Sequence, residues 1–262
     1  MSRLPHGNTL ARRLSSEVID DIRCLSDPIR MSAVQKRALA CLKNGEDWVG
    51  PGLQQALDTV EFPLGFLDFE AMAPPVPLHA HTQPFQSLPT QWSLHIQHID
   101  GTLTHREFIH DENTDPREAF VESLLVAVED VRSLVVYSPS ESKILKSLCG
   151  HLPHRAKDLM AVESRLHDLL ALIRRHYYHP DFNGKYTLKR VLPSLVSDLD
   201  YNDLEIRDGA TAARCYPQLV ESEPASRSRT GLRDSLLRYC RRDTLALVRI
   251  RQALLERCAS HQ

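Results

Sequence analysis

The stretch Phe62 to Glu70, FPLGFLDFE, limits the fold more than any other part of this chain. Its first part is mostly apolar, through Phe62, Leu64, Phe66 and Leu67. A short apolar run of this kind reads as a buried strand. The run ends on Asp68, Phe69 and Glu70. Residues i and i+2 of a strand share a face, so Asp68 and Glu70 project together and Phe69 projects the other way. A lone ionised carboxylate is costly to bury. Two acids at the end of a buried strand therefore call for a partner, and a cation is the usual one. Two hard oxygen donors side by side suit Mg²⁺ or Mn²⁺. The plainer alternative is a strand running into a solvated turn, which the Pro-rich AMAPPVP that follows allows.

A chain of 262 residues suits one large domain, or one domain with an appendage. Hydrophobic content of 42% and charged content of 25% are both ordinary for a folded soluble protein. No run approaches the ~18 apolar residues of a membrane span. The N-terminal MSRLPHGNTLARRLSSE has no apolar segment after its basic residues, unlike a secretory signal. Cys24, Cys41, Cys149, Cys215, Cys240 and Cys258 are scattered without a C-x-x-C pair, which fits reduced thiols in a cytoplasm. Net charge is −2, so a nucleic-acid binder built on this chain must concentrate its positive charge locally.

Residues 1–60 are expected to form a helical N-terminal appendage, with helix at Ser32–Leu42 and Leu53–Val60. Residues 71–90 read as a long loop. His79 and His81 within it are possible metal ligands, but read better as solvated loop residues. Gln91–Ile99 and Leu103–Ile109 alternate on either side of Asp100-Gly101, a hairpin pattern. With the first strand they make an antiparallel meander. Asp115 as N-cap and Pro116 at the first helical position open a helix carrying Phe120, Leu124, Leu125 and Val128. Ser133–Tyr137 is a short buried strand, and the crossover builds a mixed sheet. Ser140 is expected to cap the next helix. Glu141 in its first turn suits the helix dipole; it also falls just past a central strand, where open α/β sheets bind ligands.

Arg165–Leu170 reads as a short strand running into a helix. Arg174–Lys189 interleaves cations with aromatics, including Tyr178, Lys185 and Lys189. That mixture suits single-stranded nucleic acid, by phosphate neutralisation and base stacking. The alternative is a loop whose tyrosines pack on the core. Leu188–Val196 reads as a helix interrupted by Pro193, and Asp208–Leu219 as one ended near Pro217. The last element is an amphipathic helix from Thr230 to Arg257. Leu232, Leu236, Tyr239, Asp243, Leu247, Ile250 and Leu254 define one face at steps of three and four. Asp243 is the anomaly on that face, because unpaired buried carboxylates are rare. Tyr239 lies one turn away, ~6 Å along the axis. Arg233, Arg238, Arg241, Arg242, Arg249 and Arg251 occupy other faces, either flanking a phosphate backbone or as a solvated surface.

In order and spacing these pieces resemble the DEDD exonucleases, the DnaQ-like branch of the ribonuclease H-like superfamily, in their DEDDy form. D-x-E ends the first strand, a second acid follows the next parallel strand, and a late helix carries Tyr four positions before the last acid. The corresponding residues are Asp68 and Glu70, Glu141, then Tyr239 and Asp243 in YCRRD. FLDFE, QWSLH, YSPSE, RLHDL, YYHPDFNGKYTLKRVLP and YCRRDTLAL are most similar to an uncharacterised bacterial family of ribonuclease H-like nucleases, often fused behind a RecB-like nuclease domain. No such domain is visible here, and a partner nuclease encoded separately is the expectation. The resemblance implies an α/β, ribonuclease H-like domain over residues 61–262, its mixed sheet made of an antiparallel meander plus parallel strands flanked by helices. It implies a 3′–5′ exonuclease in which Asp68, Glu70, Glu141 and Asp243 hold two Mg²⁺ or Mn²⁺ ions and Tyr239 orients the attacking water. Tyr178, Lys185, Lys189 and Arg242 are the expected contacts to a nucleic-acid 3′ end. The second motif usually carries Asp; Glu141 keeps the charge and adds a methylene, and Asp168 in RLHDL is an alternative fourth acid. A catalytically weak nucleic-acid-binding module is the alternative function. A metallohydrolase using His79, His81, His95 and His98 fits no zinc spacing.

Overall fold

The computed structural model describes residues 4–5, 31–223 and 225–260. In chain order the elements are α1 (Ala33–Asn44), β1 (Trp48–Val49), α2 (Leu53–Leu57), β2 (Leu64–Met72), β3 (Leu88–Gln97), β4 (Leu103–Ile109), α3 (Arg117–Ala127) and β5 (Ser133–Val136). Then come α4 (Ser140–His151), α5 (Ala156–Glu163), β6 (Leu166–Asp168), α6 (Leu169–His176), β7 (Tyr177–Tyr178), α7 (Leu188–Leu195), α8 (Gly209–Glu221) and α9 (Arg227–Ser260). The N-terminal stretch read as lacking a signal, Leu4 and Pro5 apart, lies outside the described residues, as does Cys24. Among the described residues no helix is long and apolar enough to cross a membrane.

The chain divides into two compact units. Among the described residues, one gathers those up to Thr59, Leu170–Asp200 and those from Arg249 to Ser260; the other holds those of Val60–Leu169 and Tyr201–Val248. The contacts thus draw the line differently from a single cut at residue 60, because two later segments pack with the N-terminal one. In that first unit, α1 opens with a reciprocal cap. Ser32 Oγ accepts from the Gln35 amide, and Gln35 Oε1 accepts from the Ser32 amide. Gly45, at φ 75°, ends the helix in the left-handed region that favours glycine. β1 pairs antiparallel with β7.

The second unit is built on a five-stranded mixed sheet in the order β4-β3-β2-β5-β6. β4, β3 and β2 run antiparallel, and β5 and β6 continue parallel to β2. The two faces of this sheet differ. Leu67 and Phe69 share one face with Trp92, Leu94 and Ile96, and pack against Phe120, Val121 and Leu124 of α3, Leu145 of α4 and Leu159 of α5. The Phe69 and Phe120 rings meet edge to face at 5.1 Å. The other face begins apolar at Leu64 and Phe66 and turns polar toward the end of the strand. Asp68 stands opposite Ser93 and Glu70 opposite Gln91, and α9 meets this end of the sheet through Leu236, Cys240 and Thr244. There Gln91 Nε2 donates to Leu236 O at 3.0 Å, and Thr244 Oγ1 lies 2.8 Å from both Ser93 Oγ and His95 Nδ1.

Several boundaries depart from the sequence reading for identifiable reasons. β3 starts at Leu88 rather than Gln91, because Pro89, which cannot donate to a ladder, sits where the register slips between Glu70 and Ala71. The hairpin holds at Asp100-Gly101, with Gly101 at φ 86° and the Asp100 carboxylate accepting from the Thr102 amide at 2.9 Å. α3 begins one residue later than expected, with Asp115 accepting from both the Arg117 amide and its guanidinium. Ser140 lies inside α4 rather than capping it; Ser138 Oγ accepts its amide at 3.3 Å. α8 runs through Pro217 to Glu221, because buried Leu219 anchors the turn that follows the proline.

Candidate metal centre

β2 and α9 deliver the acids. One carboxylate oxygen from each of Asp68, Glu70 and Asp243 lies within 4.8 Å of the others. Asp243 is buried, and Asp68 and Glu70 are partly buried. Burial drives the Asp68 carboxyl well above the usual carboxylate range, and the charges of Asp243, Glu70 and Glu141 add to that effect. The Cys240 thiol opposes it, donating to Asp68 Oδ2 at 3.5 Å. A carboxyl pushed toward its protonated form by its own acidic neighbours is the mark of a site short of positive charge. Oxygen-only donors in this state fit a divalent cation.

Tyr239, on α9, and Tyr201, outside it, complete the group. Burial, then Asp243 and Glu70, hold the Tyr239 phenol far above its usual range, so it stays protonated and bonds to Asp243. The Tyr201 hydroxyl donates to Asp243 Oδ1, and the two rings lie 6.2 Å apart. Asp208 caps α8 by accepting from the Thr211 amide at 2.8 Å. The first residue of that helix, Gly209, lies beside Glu70: a Cβ there would stand 3.5 Å from Glu70 Oε2 and 3.9 Å from the Tyr239 hydroxyl.

Glu141 is buried in the first turn of α4 and accepts from Ser140 Oγ at 3.1 Å. Burial raises its carboxyl to about 7, with the Asp168 charge adding and its own backbone N–H and the Ser140 hydroxyl opposing. Glu141 in turn raises Asp68, so it stands close to the group without joining the three-acid set. Asp168, the other candidate fourth acid, pairs with Val136 at the end of β6 and acts on Glu141.

The substrate-contact residues fare differently. Tyr178 is a correction: its ring is 1% exposed inside a cluster with Phe182 and Tyr186, and its hydroxyl accepts from the Gly184 amide. A ring this deeply buried offers no face to a base. Lys185 and Lys189 are exposed, and like Tyr178 they belong to the other unit. Arg242 grips Asp203 through two bonds of 2.9 and 2.8 Å. Arg233 pairs with Asp111, Arg241 with Glu107 and Arg249 with Asp198. Arg251, expected either to flank a phosphate backbone or to lie on a solvated surface, is buried and donates to Leu57 O at 3.1 Å. His95 is also buried, bonded to Thr244, and its imidazole is held down to about 3 by burial and by His105. Among the described residues the metal-capable group contains no histidine. Sequence reasoning missed Tyr201, which sits in an irregular polar segment with no periodicity to mark it.

Residues 65–187 match a family model described as a domain of unknown function, DUF2779. The match takes in Asp68, Glu70 and Glu141 and stops short of Tyr201, Tyr239 and Asp243. No curated protein matches the chain, and no solved structure does.

Proposed function

We propose that this chain is a metal-dependent 3′–5′ exonuclease of ribonuclease H-like fold, hydrolysing phosphodiester bonds at single-stranded nucleic-acid 3′ ends. One observation carries the reading: Asp68 and Glu70 of β2 meet Asp243 of α9, a residue remote in sequence. A meander extended by parallel strands, the sheet the resemblance implies, supports it. Asp68, Glu70 and Asp243, with Glu141 beside them, would hold Mg²⁺ or Mn²⁺. Such ions, when bound, supply charge at the phosphate and a nucleophile at neutral pH. The rest belongs to the chain. The Tyr239 phenol, kept protonated by burial and by the acids beside it, orients the attacking water by a hydrogen bond. Free thiols at Cys41, Cys149, Cys215, Cys240 and Cys258 fit a reducing, cytoplasmic setting.

A second reading, a nucleic-acid-binding module with little hydrolysis, draws support from Glu141, which stands outside the three-acid set. One assay separates the two. Purified protein given a 5′-labelled single strand and Mn²⁺ shortens it stepwise from the 3′ end, and EDTA stops the reaction. Asp68→Ala removes the activity while leaving the far-ultraviolet dichroism unchanged. Shortening that survives Asp68→Ala refutes the exonuclease assignment, and binding without shortening favours the module.

A further inference from the structure

We propose that Tyr201 is a positioning residue of the metal centre, its hydroxyl holding the Asp243 carboxylate at the angle at which it shares a cation with Asp68 and Glu70. This inference rests on the metal-site reading above. An ionised carboxylate has about four acceptor positions. Two on Asp243 are taken by phenols, Tyr201 on Oδ1 and Tyr239 beside it. Tyr239 shares the helix with Asp243, so its hold moves with the helix. Tyr201 comes from outside α9 and ties the carboxylate to a second element.

That second element is itself fixed. The segment from Tyr201 to Asp208 buries Leu204 and Ile206. It is strapped to α9 by the paired bonds of Arg242 to Asp203 and by Ser235 Oγ donating to Glu205 Oε2 at 2.7 Å. The Arg207 guanidinium closes the segment on itself, donating to Leu204 O at 2.8 Å and Asn202 O at 2.7 Å. A phenol carried by so constrained a segment sets the carboxylate plane. Residues that bond to metal-binding side chains in this way orient them, and their loss typically weakens metal binding roughly 10–100-fold.

The test is a Mn²⁺ titration of the full chain followed by electron paramagnetic resonance, on the parent protein, Tyr201→Phe and Tyr201→Met. Both variants lack the hydroxyl and differ in packing. The expected result is Mn²⁺ affinity lowered roughly 10–100-fold in both, with a changed spectrum at saturation, a signature that lost packing alone does not produce. Parent-like affinity and spectrum in whichever variant folds overturn the role of Tyr201 and leave the metal site standing. Failure of the parent protein itself to bind Mn²⁺ overturns the metal-site reading instead, and Tyr201 with it.

Discussion

At the end of β2 the two faces are one residue apart in sequence and opposite in character. Phe69 lies against Phe120 in a dry cluster, where each apolar contact adds to stability. Asp68 and Glu70 crowd Asp243 on the other face, where the acids raise one another's proton affinity and cost stability. A fold has no structural use for a cost of this kind, which neutral residues of similar size would avoid. The contrast fits the proposal that the apolar face serves folding and the acidic end serves binding. Changes on one face should therefore spare the property carried by the other.

Phe120→Ala has the largest expected effect on stability, about 3–5 kcal/mol, read by chemical denaturation. The remaining folded fraction should bind Mn²⁺ as the parent does. Asp68→Asn comes next and has the opposite sign. The Asp68 carboxyl is raised in the folded state, so its contribution is complete below the unfolded value near 3.8 and is lost as pH rises. Metal-free Asp68→Asn should melt several degrees above the parent at pH 8 and close to it at pH 4. Adding Mn²⁺ should raise the parent's melting temperature and leave the variant's unchanged.

Glu141→Gln sharpens the comparison further. Glu141 is raised from 4.5 to about 7, so the stability it contributes is present below pH 4.5 and lost as pH climbs through about 7. The variant should flatten the metal-free melting curve over that window, with a smaller change than Asp68→Asn. A parent profile that is flat there contradicts the buried placement of Glu141. The smallest effect belongs to the Asp203–Arg242 pair, whose carboxylate is more than half exposed. A double-mutant cycle on it should return about 0.2–1 kcal/mol.

The sheet and the acids were legible because both follow short rules. Alternation marked β4 and the hairpin, and the i, i+2 rule placed Asp68 with Glu70 and sent Phe69 to the core. The helical stripe of α9 singled out Tyr239 and Asp243 because one acid broke an apolar pattern. Tyr201 broke no pattern, since its neighbours Asn202 and Asp203 are polar and the segment is irregular. The Ser93–His95–Thr244 network was invisible for another reason: its members join only when α9 lies on β3. The Tyr178 error has a general cause. Tyrosine suits both a stacking platform and a core, and composition records the residue without its burial.

The central claim is that Asp68, Glu70 and Asp243 form one cation site. Calorimetric titration of metal-free protein with Mn²⁺ at pH 7.5 tests it most directly. Saturable binding that Asp243→Asn abolishes, in a variant that still melts cooperatively, is the outcome this account requires. No binding by the parent, or equal binding by Asp243→Asn, contradicts it.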